Sequence, residues 1–225
     1  MKLSEQIKTD VERYKKMESA KSKRAFLWDY YKYPIIGVCA ALVIIILIWV
    51  NNIGRGSVGM YAVLVNTDSL IVECDATVFD RYVEAGGWKL GKKKTDVNDR
   101  YTLGAEMNEA SDVETLQVLT ALFSISDMDL YAADKKYFDY FAVEGGFADL
   151  SLLIDKDLLD KVESDLYYTE NSDGTKVLSG IVLHDGSPLH KAGYYHGDVY
   201  IGVVSRAENL DAALAFVKGI LSDIN

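Results

Sequence analysis

Three histidines, His184, His190 and His196, are the only ones in the chain, and they fall within thirteen residues. Neutral imidazole is a good ligand for zinc or copper. The six-residue spacings, broken by Gly186, Pro188 and Gly193, match no familiar ligand set, so the cluster reads as a surface loop and no metal is expected. Ser187 and His190 form a weak local pair, but the G-x-S-x-G turn that positions a nucleophile is absent. The run LGKKKTD (90–96) has three consecutive lysines without the glycine-rich loop that cradles phosphate, and reads as a solvated turn. No enzyme and no cofactor are expected. The fifteen tyrosines say more, since each ring offers an apolar face and a polar tip to a ligand. Tyr131, Tyr137, Tyr194 and Tyr195 fall at the ends of predicted elements, Asp134 opens a predicted helix, and GYYHGD (193–198) reads as a loop. The alternative for these tyrosines is ordinary core packing.

The elements that must position these residues alternate between strand and helix. VGMYAVLV (58–65) is an apolar strand, and 70–73 reads as a short second one. Residues 76–84 read as a helix stopped by Gly86-Gly87, and 100–107 as a strand. Ser111 and Glu114 have capping-box spacing ahead of a helix whose Val113, Leu116, Leu119, Leu122 and Phe123 share one face. A strand at 128–132 precedes a helix capped by Asp134 and ended at Gly145-Gly146. Residues 155–162 read as helix, 166–169 and 177–184 as a hairpin, and 199–204 as the last strand. A second Ser205–Glu208 box precedes a closing apolar helix. Such alternation predicts α/β layers around a mostly parallel sheet.

The run TLQVLTALFSISDMDLYAADKKYFDYFAVEGGFADLSLLI (115–154) resembles the extracellular solute-binding proteins of ABC importers. The likeness lies in Asp127 to Leu130, the aromatics Tyr137 to Phe141, Gly145-Gly146 and Asp149-Leu150, in that order. YIGVVSRAENLDAALAFVKGIL (200–221) resembles that family's returning strand and helix. Together these cover roughly a third of the chain. The resemblance implies a solute-binding-like fold, reduced in length, with Tyr131, Asp134, Tyr137, Tyr194 and Tyr195 beside a small-molecule ligand.

Composition bounds the rest. The 225 residues carry a formal charge of −10, which argues against binding nucleic acid by a basic face. Residues 1–33 hold nine Lys and Arg against five Asp and Glu, and Leu3, Ile7, Val11, Tyr14 and Met17 form a helical stripe there. From 34 to 50 the chain reads PIIGVCAALVIIILIWV, without a charged, amide or hydroxyl side chain. Eleven of those seventeen residues are Ile, Val or Leu, favouring bilayer insertion by on the order of −3 to −6 kcal/mol. Trp28, Tyr30, Tyr31, Tyr33 and Trp49 flank the run as an aromatic belt would. The expectation is a basic cytoplasmic arm (1–33), a membrane-spanning helix (34–53) that contacts the lipid bilayer, and an extracytoplasmic α/β domain (54–225). By the distribution of Lys and Arg the N-terminus lies in the cytoplasm and the domain outside, and the resemblance implies a bacterial cell. Cys39 would then sit in the membrane and Cys74 beyond it, so no intramolecular disulfide is expected.

Two functions from different classes fit these features. One is a membrane-anchored binding or accessory protein working beside an ABC transporter or another membrane protein. The other is a structural interaction protein that holds a partner and has no small-molecule ligand.

Overall fold

The computed structural model describes residues 3–16, 19, 23, 28, 42, 43 and 58–224, except 105, 107, 108, 126, 171 and 173. The chain divides into two units, Met1–Arg55 and Gly56–Asn225. In the first, helix α1 (Leu3–Lys16) places Arg13, Lys15 and Lys16 in its last turn, where cations complement the helix dipole. Val11 is exposed on it and Tyr14 half-buried.

The expectation of a membrane-spanning helix is corrected here, and with it the single-pass anchor, the N-inside orientation and the membrane localisation. Among the described residues no helix is long and apolar enough to cross a membrane. The longest has 16 residues and so spans about 24 Å, short of the roughly 30 Å of a bilayer core. Of residues 34–53 only Leu42 and Val43 are described, both helical and exposed; the rest of that segment lies outside the described residues.

The second unit is built on a six-stranded sheet in the order β2-β1-β3-β6-β5-β4. Strand β1 (Val58–Val65) sits between β2 (Lys94–Tyr101) and β3 (Leu130–Ala133) and is parallel to both. Strands β4 (Leu166–Glu170), β5 (Lys176–Leu183) and β6 (Val199–Val203) complete the sheet by antiparallel pairing. The sheet is therefore mixed rather than mostly parallel. Side chains alternate across β1: Met60, Ala62 and Leu64 join one core, Val63 and Val65 the other. Covered on both faces, the strand reads as an unbroken apolar run.

Helices α2 (Thr77–Ala85) and α7 (Leu210–Asp223) cover the first face, where Phe79 stacks on Phe216 at 5.1 Å. Their axes approach closely because Gly86 and Gly219 leave room; a Cβ on Gly86 would lie 1.7 Å from the carbonyl oxygen of Ala215. Helices α3 (Ala110–Ile125) and α4 (Lys135–Ala142) cover the second face through Leu119, Tyr137, Phe138 and Phe141. Short helices α5 (Lys156–Leu159) and α6 (Pro188–Lys191), with 3-10 turns at Leu150–Leu152 and Asp160–Asp165, fill the connections.

Several local expectations shift. Residues 70–73 are turns and bends, not a strand. The second strand is Lys94–Tyr101, so it overlaps the expected 100–107 only at its end and takes in part of the lysine-rich run. Ser111 lies inside α3 and gives its hydroxyl to Glu109; Asp112 fixes the helix start instead, accepting from the N–H of Gly104 at 2.9 Å. Asn209, not Ser205, stands at the N-cap position of α7, and its side chain makes no cap bond.

Candidate functional site

The chain leaves β1 toward β2 and returns to β3 on the other side of β1. Open α/β sheets bind ligands where strand order reverses in this way, beyond the carboxyl ends of the strands. Two residues close that crevice. Asn66, immediately after β1, adopts a left-handed backbone (φ 58°), which asparagine tolerates better than most side chains. Its amide donates to Oδ2 of Asp134 at 2.8 Å, and its Oδ1 accepts from the N–H of Leu103 at 2.7 Å. Asp134 follows β3 and caps α4 as expected, accepting from the N–H of Tyr137 at 3.2 Å. Its carboxylate is thus committed to the fold on both oxygens.

The four tyrosines expected at a ligand are core residues. Tyr131 is wholly buried among Phe123, Phe141 and Phe147, and its hydroxyl has no hydrogen-bond partner among the described residues. Burial raises its pKa well above the ordinary tyrosine range, and the nearby Asp134 carboxylate adds to that. Tyr137 is buried and gives its hydroxyl to the carbonyl of Gly104. Tyr195 crosses beneath the crevice and donates to the carbonyls of Val65 and Ala132 at 3.1 and 3.2 Å. Tyr194 shares the first-face core with Tyr195 and lies edge-on to Phe79. Burial drives the pKa of both upward. Asp134 and Tyr137 therefore meet directly, Tyr131 and Tyr195 lie beneath the same strand ends, and Tyr194 stands apart. None of the four offers a ring face to solvent.

What the crevice does present is the turn over it. The hydroxyls of Thr67 and Ser69 donate to the carbonyl of Asp99 at 2.8 and 3.1 Å. The N–H of Asp68 donates to the carbonyl of Tyr194 at 2.9 Å, and that of Asp75 to Ala192 at 2.9 Å. Cys74 is half-buried and free, its Sγ 3.3 Å from the Gly193 carbonyl, and burial raises its thiol pKa. Both ends of the turn are thus tied down. Between them the N–H groups of Ile71 and Val72 close onto the carbonyl of Asp68, and Leu70, Ile71 and Val72 stand out 69%, 87% and 42% exposed. A second apolar surface runs along α3. That helix buries Leu119 and half-buries Leu116 and Phe123, yet leaves Val113, Val118 and Ile125 exposed. The sequence reading placed Val113 on the buried face; it faces outward.

The histidines do not converge on a metal. Each faces a different carboxylate along the connection from β5 to β6, and the described residues hold no group of three metal-ligating side chains. His184 Nδ1 lies 2.7 Å from Asp198, with Asp165 at 3.6 Å from Nε2. His196 Nδ1 lies 2.5 Å from Asp68 and so joins this connection to the exposed turn. His190 lies 2.6 Å from the hydroxyl of Ser187. The hydrogen bond with Asp198, reinforced by Asp165 and Asp185, raises the pKa of His184. A cavity of about 280 Å³ opens beside these groups, lined by Asp165, His184, Ser187, Lys191 and Asp223 among others. The sequence singled out the Ser187–His190 pair and the histidine cluster, but not the carboxylates they face: Asp185 and Asp198 lie on the same connection, while Asp68 and Asp165 come from other segments.

Comparison with family models, with curated proteins and with solved structures finds no match for the chain.

Proposed function

We propose that the unit 56–225 is a protein-docking module, and that its partner seats on the turn formed by Leu70, Ile71 and Val72. The observation that carries this is a turn hydrogen-bonded at both ends that presents three consecutive apolar side chains to solvent. Side chains of this size gain about 1.5–3 kcal/mol each on full burial, so covering the three supplies several kcal/mol toward association. The buried tyrosines support the same reading, because a filled core beneath the strand ends leaves no stacking platform for a solute. The expected solute-binding role keeps one feature in its favour, the polar cavity beside His184.

Two measurements separate these. A photo-reactive amino acid at position 71 of the full chain, with position 176 as an exposed control, is irradiated in the cells that make the protein. A discrete adduct at 71, absent at 176 and lost on Leu70→Ser with Val72→Ser, is the expected result. Thermal unfolding against sugars, amino acids and short peptides is expected to show no shift. A ligand that stabilises by about 2.7 kcal/mol at 100 times its dissociation constant, with no adduct at 71, would replace docking by solute binding.

A further inference from the structure

We propose that Ser187 is a nucleophilic serine activated by His190, and that the cavity beside it accepts a small acyl ester. Ser187 stands at the N-cap of α6, where a serine ordinarily turns its oxygen onto a backbone N–H of the first turn. It makes no such bond here; its hydroxyl lies 2.6 Å from Nδ1 of His190 instead. The spacing alone suggests only a capped turn, which is why the sequence gives no reason to expect catalysis. The geometry adds a direction for the proton. On the far side of the ring Nε2 lies 2.7 Å from the carbonyl oxygen of Gly197. The N–H of Gly197 also approaches Nε2, at 3.3 Å, but the carbonyl is the closer group and only accepts; the shorter contact assigns the ring hydrogen to Nε2 and the lone pair to Nδ1. Ser187 therefore donates to His190, the relationship of a nucleophile to its general base, with a third group orienting the base.

The surroundings suit the charge that forms. The His190 side chain is 7% exposed, and the Asp185 carboxylate lies 3.5 Å from Nε2. An imidazolium at this position faces both that carboxylate and the Gly197 carbonyl. Ser187, His184 and Lys191 line the cavity of about 280 Å³, at the lower end of small-molecule sites and matched to a short acyl group. Lys191 is the one lysine or arginine among the lining residues, which also include the carboxylates of Asp165, Asp185 and Asp223, so the cavity favours a neutral ester over an anionic one.

The reaction is acyl transfer. Oγ of Ser187 attacks the ester carbonyl carbon while its proton passes to Nδ1. The carbon–oxygen bond to the alcohol then breaks, and the alcohol leaves with that proton. Water attacks the resulting acyl-serine, again giving a proton to Nδ1; the acid departs and Ser187 recovers its hydrogen. Ester and water become acid and alcohol.

The test uses the full chain with a biotin-tagged fluorophosphonate and with 4-nitrophenyl acetate. The expected result is one adduct, mapped to Ser187 by peptide mass spectrometry, with ester hydrolysis above the buffer rate. Ser187→Ala removes both, and His190→Gln slows acylation by about 100-fold or more. Ser187→Cys keeps the volume and guards against misfolding of the other variants. Its thiol should react with iodoacetamide at pH 6 at least about tenfold faster than Cys74, since a neighbouring imidazolium stabilises the thiolate. The proposal is overturned if Ser187 labels no faster than the other serines, if His190→Gln leaves labelling unchanged, or if the cysteine variant reacts no faster than Cys74.

Discussion

The carboxylate of Asp129 holds Asn209 by two bonds, accepting from its backbone N–H at 2.7 Å and from its side-chain amide at 3.0 Å. The same carboxylate accepts from the N–H of Tyr61 at 2.8 Å, and Asp129 is buried. One side chain just ahead of β3 therefore fixes β1 beside it and the start of α7, 80 residues further along the chain. The absence of a side-chain cap from Asn209 itself follows, because its amide is turned toward Asp129.

Hydrogen bonds to a charged acceptor contribute about 1.5–3 kcal/mol each, and buried donors left without one lose that and more. Asp129→Ala is expected to destabilise the protein by about 3 kcal/mol or more. Asp129→Asn keeps an acceptor oxygen but replaces the other with a donor, and should cost less. Chemical denaturation of the two variants beside the parent checks the order. A loss below about 1 kcal/mol for the alanine variant would mean that the carboxylate does not join these elements.

Gly202 governs a different contact. The rings of Phe138 and Phe147 stack 4.3 Å apart over the sheet. A Cβ on Gly202 would stand 2.6 Å from the Phe147 ring and 2.7 Å from the carbonyl oxygen of Ser179 on the neighbouring strand. Neither has room to move, since the ring is stacked and the carbonyl is backbone. Gly202→Ala should therefore destabilise by about 1–3 kcal/mol, the usual cost of overpacking. Thermal unfolding at neutral pH reads this directly; an unchanged midpoint would show that the stack yields.

How far the sequence anticipates this fold depends on what each element buries. VGMYAVLV is legible because both faces of β1 are covered, and the closing helix because its apolar residues recur at helical spacing. KTDVNDRY is not, because β2 is the outer strand beyond β1 and keeps polar side chains; only its pairing with β1 makes it a strand. LIVE at 70–73 fails the other way: its residues favour strands, yet the N–H groups of Ile71 and Val72 turn back onto the Asp68 carbonyl and pair with no strand. The tyrosines mislead for a chemical reason. A ring with a polar tip suits a wet binding surface and a core alike, and Tyr195 is satisfied by two backbone carbonyls that no spacing reveals. The Ser187–His190 pair is legible as spacing, whereas the Gly197 carbonyl that sets its tautomer is not.

Tyr131 carries a cost that the fold tolerates. Its hydroxyl is buried with no partner among the described residues, and a hydroxyl in that state loses its hydration without compensation. Tyr131→Phe removes the oxygen and keeps the ring contacts with Phe123, Phe141 and Phe147. The variant is expected to be as stable as the parent or more so, by up to about 1 kcal/mol, which is about 2–4 °C in the unfolding midpoint for a chain of this size. Destabilisation by more than about 1 kcal/mol would instead reveal a hydrogen bond made by that hydroxyl.

His184 makes stability depend on pH. Its pKa is raised in the folded protein, first by the hydrogen bond with Asp198 and then by the charges of Asp165 and Asp185, so the folded state holds the proton more tightly than the unfolded chain does. The contribution is therefore complete below the unfolded histidine value of about 6.5 and is lost as pH rises through the higher folded value. The side chain is 55% exposed, so solvent and salt screen the pair and the effect is small. The difference in unfolding midpoint between the parent and His184→Gln should be widest near pH 5.5, still above ordinary carboxylate titration, and should close by about pH 8.5. Adding about 0.5 M sodium chloride at pH 5.5 should narrow it as well. A difference that stays constant with pH, or widens toward alkaline conditions, would show that His184 acts through packing and not through its charge.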